Sequence, residues 1–67
     1  MRKNNIPRIG GRWIRAQGGS VLNKDGWTVI GIHYVNNLCF IRLRSNDKDS
    51  WVAEVSYRLF KSEFKRI

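Results

Sequence analysis

Two β-rich runs meet at Asn36-Asn37, and this junction constrains the fold more than any other feature of the chain. Trp27-Thr-Val-Ile-Gly-Ile-His-Tyr-Val35 and Leu38-Cys-Phe-Ile-Arg-Leu-Arg44 are rich in β-branched, aromatic and aliphatic residues. Asparagine enters the left-handed backbone region more easily than most residues, so the pair predicts a two-residue primed turn and a hairpin. Such a turn sets Val35 opposite Leu38, and pairing continues residue for residue away from it. One face then carries Ile30 with Leu43, Ile32 with Ile41, and Tyr34 with Cys39, all largely apolar. The other face carries Val29 with Arg44, Gly31 with Arg42, His33 with Phe40, and Val35 with Leu38. A slip of one residue would mix the two sets, which specifies the register.

Around the hairpin, short strands alternate with turn signals. Arg12-Trp-Ile-Arg-Ala16 reads as a strand ended by Gly18-Gly19, and Asn23-Lys-Asp-Gly26 as a turn. Ser45-Asn-Asp-Lys-Asp-Ser50 reads as a polar loop, and Trp51-Val-Ala-Glu-Val55 as a strand with Trp51, Ala53 and Val55 on one face. Gly31 weakens a strand unless a bend or close approach requires it, and a sheet coiling into a small barrel needs such a bend. In the tail, Phe60, Phe64 and Ile67 fit one helical face. The same residues fit a helical turn near 58–62 followed by a closing strand over 63–67. The second layout is preferred because it covers a sheet edge. About five short antiparallel strands result, an all-β class of small sandwich or barrel. Residues 1–11 lack periodicity and read as a flexible basic arm before a domain over 12–67.

A chain of 67 residues buries only roughly 60% of its unfolded surface, so it has little stability to spare. Its one cysteine, Cys39, forms no internal disulfide, and with the one histidine, His33, it cannot complete a structural zinc site. No apolar run reaches the ~18 residues of a membrane-spanning helix, and no apolar stretch behind the first basic residues marks a secretion signal. A soluble, cytoplasmic domain is expected.

Thirteen Lys and Arg oppose five Asp and Glu, a net charge of +8. That imbalance points to a polyanionic partner, nucleic acid first and an acidic protein surface second. Catalysis is not indicated. His33 has no second histidine, Asp25, Asp47 and Asp49 lie in turn segments, and Cys39 falls on the apolar face. No phosphate-cradling glycine motif precedes a helix, and no cofactor or metal is implied. The outer hairpin face remains, with His33, Phe40, Arg42 and Arg44. Arg12, Trp13 and Arg15 complete the candidate surface, Trp13 and Arg15 joining the face if Ile14 points inward. Arginines contact phosphates and exposed rings stack on bases, whereas an aliphatic patch suits protein. Val29, Val35 and Leu38 on the same face supply such a patch, for a protein partner or a homodimer seam.

The layout also resembles a known group. Arg12-Trp-Ile-Arg-Ala-Gln-Gly-Gly19, Trp27-Thr-Val-Ile-Gly31, the hairpin, and Leu59-Phe-Lys-Ser-Glu-Phe-Lys-Arg66 together are similar to small phage-encoded SH3-like barrel proteins, over roughly residues 11–67. Those run from a W-x-x-x-x-G first strand to a closing L-x-x-F-x-x-x-F segment. Their usual proline before that segment is replaced here by Ser56-Tyr57-Arg58. The resemblance implies an SH3-like barrel and a mobile-element origin. The plasmid-borne dihydrofolate reductase of small-barrel type is similar in fold, but its Val-Gln-Ile-Tyr cofactor motif has no counterpart. The expectation is a non-enzymatic, phage-type regulatory module that contacts DNA or RNA through a basic and aromatic surface. The alternative is a small inhibitor that docks on an acidic surface of a host or defence protein in the host cytoplasm.

Overall fold

Asn36 and Asn37 both take positive φ, 48° and 69°, and close the expected primed turn. The turn joins the central hairpin of a computed structural model that describes residues 6–17, 20–21 and 24–66. In chain order the elements are β1 (Arg12–Gln17), β2 (Ser20–Val21), β3 (Trp27–Val35), β4 (Leu38–Ser45), β5 (Val52–Ser56), α1 (Tyr57–Glu63) and β6 (Phe64–Arg66). Every strand pair is antiparallel, and the order runs β2-β1-β3-β4-β5. β6 returns to β1, so Trp13 is paired with Trp27 on one side and Arg66 on the other. The result is a small all-β barrel-like fold with one short helix. Gly18-Gly19, Asn23 and the arm residues 1–5 lie outside the described residues.

The hairpin keeps the expected register from Val35–Leu38 to Gly31–Arg42 and then shifts. Ile30 faces no residue of β4, and Val29 rather than Ile30 stands opposite Leu43. This is a β-bulge, one extra residue that bends its strand. It corrects the strict two-residue alternation, in which Ile30 was the core residue. Val29 is 0% exposed and joins Ile41, Leu43, Phe60 and Phe64 in the buried core. Gly31 is not the tight spot that its position suggested. A Cβ there would meet only the Cβ of Arg42, at an ordinary 3.8 Å.

Val29 also anchors the segment before β1. Its N–H donates to the Gly11 carbonyl (2.9 Å), and its carbonyl accepts from the Gly10 N–H (2.7 Å). Gly11 N–H closes a turn onto the Arg8 carbonyl (3.0 Å), with Gly10 at φ 93° in the position that only glycine fills without strain. A Cβ on Gly11 would lie 3.1 Å from the Arg8 oxygen and 3.3 Å from Trp13 Nε1, so any larger residue would push these neighbours back by a few tenths of an ångström. Pro7 is buried. Docking therefore begins near Pro7, within the stretch expected to be a free arm.

The C-terminal segment adopts the turn-plus-strand layout. Ser56 caps α1, its Oγ accepting from the Leu59 N–H at 3.2 Å. Phe64 leaves the helix extended and leads into β6. Phe60 and Phe64 stack at 4.9 Å, Trp13 meets Phe60 edge-on at 4.7 Å, and Trp27 meets Phe64 at 6.4 Å. These four rings tie β1, β3, α1 and β6 together; such edge and offset geometries add about 0.5–1.5 kcal/mol per pair beyond burial. One cost is visible, since the Trp27 indole N–H is buried without an acceptor among the described residues.

The loop after β4 is organised by Asp47. Its Oδ1 accepts from Ser45 Oγ and from the N–H groups of Asp49 and Ser50, while Ser45 Oγ accepts from the Trp51 N–H. This is the turn-forming role expected of the aspartates. Trp51 departs from expectation. It precedes β5 instead of opening it, follows Ser50 at φ 50°, and is 67% exposed. Tyr34 departs too, because the core ends before the hairpin tip and leaves its ring 60% exposed.

The bulge predicts an asymmetry between neighbours. Val29→Thr should lower stability by about 1–3 kcal/mol, since it places a hydroxyl in the core. Ile30→Thr should cost less than half as much in the same urea titration. Equal costs, or the reverse order, would restore the unshifted register. Separately, Ser56→Ala should cost about 1 kcal/mol through the lost cap, read as a melting point lowered by about 4–8 °C.

Candidate nucleic-acid interface

In an antiparallel sheet, residues directly opposite one another project to the same face. On β4 the odd positions Ile41, Leu43 and Ser45 are buried, so Phe40, Arg42 and Arg44 project outward. The ladders carry this face across the sheet in rows. Arg44 is opposite Thr28 on one side and Val52 on the other, and Thr28 is opposite Arg12. Arg12 and Arg44 are thus separated by one strand only, about 10 Å at the usual strand spacing. The next row holds Gly31, Arg42 and Glu54, and the next His33, Phe40 and Ser56. Ile14 also lies on this side, opposite Lys65 of β6.

Five of the seven residues singled out in the sequence therefore share the face: Arg12, His33, Phe40, Arg42 and Arg44. Trp13 and Arg15 do not. Ile14 faces outward, so both of its neighbours turn to the core side. Trp13 packs on Phe60. Arg15 binds Glu63 through Nε and Nη2, both 2.8 Å from Oε1, and lies 5.5 Å above the centre of the Phe64 ring. Both are positioned by the closure of β1 on β6. Val29 leaves the proposed aliphatic patch for the core, whereas Val35 and Leu38 remain exposed.

Two members of the face were not anticipated. Lys65 reaches it through the β1–β6 pairing, which joins positions 51 residues apart in sequence, 14 and 65. Glu54 is the one acid among the face residues named here. Its Oε2 lies 2.8 Å from His33 Nδ1 and 3.4 Å from Arg42 Nη2, so a single carboxylate oxygen serves both neighbours. Period-two alternation on β5 already set Glu54 opposite the Ala53 and Val55 side. The sequence alone did not say which strand lay beside it.

The electrostatic outcome is uneven. Arg42 is partly compensated by Glu54, which also hydrogen-bonds the His33 ring, in an exposed setting where such pairs contribute at most about 1 kcal/mol. Arg12 and Arg44 have no acidic partner among the described residues. At the hairpin tip, the hydrogen bond and charge of Cys39 raise the pKa of the Tyr34 hydroxyl, with a small contribution from burial. The described residues contain no cluster of three or more His, Cys, Asp or Glu placed to hold a metal. They contain no helix long and apolar enough to cross a membrane. No family model, curated protein or solved structure matches the chain.

The two arginines of β1, Arg12 and Arg15, should behave oppositely. Arg15→Ala removes a half-buried ion pair and the cover over Phe64, and should cost about 1 kcal/mol of stability after allowance for solvent screening. Arg12→Ala should leave the melting curve within about 0.5 kcal/mol of the parent. An Arg12 variant that melts early while the Arg15 variant does not would reverse the assignment of faces.

Proposed function

We propose that this protein is a non-enzymatic module that binds nucleic acid through the outer face of β1, β3 and β4. The observation that carries this reading is the row Arg12–Thr28–Arg44, in which two arginines with no acidic partner among the described residues flank one strand. Lys65 extends the positive surface across β1, and Arg42 extends it along β4. Guanidinium groups at this spacing suit successive phosphates, whose neutralisation releases counterions and supplies sequence-independent affinity. The net charge of +8 reinforces the attraction at long range. As a biological setting we propose the regulatory role of the small phage-type barrels that the layout resembles.

A second reading has its own support. Val35, Leu38 and Val52 are exposed on the same face, at 43%, 61% and 59%. Val52 lies beside Arg44, and Val35 with Leu38 form an apolar tip beyond the His33–Phe40 row, so this face also suits an acidic protein surface that carries apolar groups. A second copy of the chain fits less well, since two protomers of equal positive charge repel.

Fluorescence anisotropy of a labelled mixed-sequence oligonucleotide over several salt concentrations tests the first reading. Replacing Arg12 and Arg44 together with alanine should flatten the slope of log K against log salt by about 1.5, at roughly 0.7–0.9 per lost phosphate contact. Arg42→Ala alone should change the slope by less, because Glu54 already offsets its charge. Absence of binding by the parent protein at low salt would end this reading in favour of the acidic-protein partner.

A further inference from the structure

Gly31 is hard to explain by packing. It stands in the middle of β3 with room for a Cβ, and the bulge beside it supplies the bend. Glycine weakens a strand interior, and a site where another molecule approaches the backbone is one of the few reasons to keep it there. Its surroundings indicate what approaches. Gly31 lies between the Arg12–Thr28–Arg44 row and the His33–Phe40 row, opposite Arg42. Phe40 is an aromatic ring on the face turned away from the core. His33 reaches diagonally across β4 to Glu54, which holds its ring 6.2 Å from that of Phe40 at 45°. The outcome is a bare stretch of strand bordered by two rings, with guanidinium groups alongside.

From this arrangement we infer that Gly31, His33 and Phe40 form a stacking site for an unpaired base of single-stranded nucleic acid. The inference rests on the nucleic-acid reading and adds the class of ligand. A duplex offers phosphates and base edges but keeps its base faces stacked, and nothing on it complements the rings or the exposed Val35 and Leu38 beyond them. An unpaired base presents its π-face, and aromatic side chains beside a cationic track are how such strands are held. Glu54 acts as a positioning residue, fixing the His33 ring while costing one unit of positive charge.

The test measures, at one low salt concentration, anisotropy with single-stranded DNA, single-stranded RNA and duplex DNA of the same mixed sequence. The parent protein should prefer one or both single strands, and their order identifies the natural sugar. Gly31→Val should fill the bare stretch, retain the fold, and reduce single-strand affinity about 5- to 100-fold with little effect on duplex. Phe40→Leu should act the same way, and Gly31→Ala serves if the valine variant does not fold. Glu54→Ala should strengthen duplex binding by removing an acid yet lower the ratio of single-strand to duplex affinity; a purely electrostatic Glu54 would leave that ratio unchanged. Equal affinity of the parent for duplex and single strand, or variants that weaken both alike or neither, would overturn this inference while leaving the basic face intact. Failure to bind any of the three would remove the nucleic-acid reading itself.

Discussion

The extra residue at Ile30 is the feature on which the rest of the molecule depends. Without it, Val29 would point outward beside Arg44 and the core would lose one of its five buried apolar residues. The consequences reach beyond packing. The shift frees both backbone polar groups of Val29 to bond Gly10 and Gly11, and so fixes where the chain enters β1. It also sets Thr28, not Val29, opposite Arg44, which brings Arg12 into line with that arginine. One unpaired residue therefore positions the core, the N-terminal approach and the candidate interface together. Bulges commonly re-aim side chains in this way, by adding twist where a strand must curl.

Closure of the sheet rests on aromatic contact more than on hydrogen bonds. β6 is three residues long and pairs with the middle of β1. Phe60 and Phe64, one turn apart, carry the helix and the closing strand into the same stack of rings as Trp13 and Trp27. Arg15 covers the outer side of that stack while bound to Glu63. A domain of this size has few apolar residues to spend, and placing four large rings at the open side of the barrel is an economical use of them.

The acids are placed so that the positive charge stays on display. Asp47 is occupied with the turn after β4, Glu63 with Arg15, and Glu54 with His33 and Arg42. Each of these three serves a local hydrogen-bonding purpose, and none of them pairs with Arg12 or Arg44. The polyanion-binding reading draws on that separation more than on the total charge, because net charge by itself describes attraction and not a site.

Local chemistry was legible in the chain before any fold was known. The Asn36-Asn37 turn and the pairing of β3 with β4 as far as Gly31 follow from short-range rules about positive φ and two-residue alternation, whereas the turn-then-strand ending follows from the need to cover a sheet edge, since helical spacing alone also fits a single helix. Those rules also set Arg42 and Arg44 outward. What tertiary structure decided depended on contacts between distant segments. The bulge forms because the sheet must curl around Phe60 and Phe64, and alternation assumes a strand that does not curl. Trp13 and Arg15 turned inward because β6 pairs with β1, and no local pattern encodes a partner 51 residues away, as between 14 and 65. Trp51 and Tyr34 read as core residues by period, yet the core of so small a domain ends before it reaches them. Sequence periodicity determined which residues could share a face; only the curvature of the sheet and the packing of α1 and β6 against it determined which faces were buried.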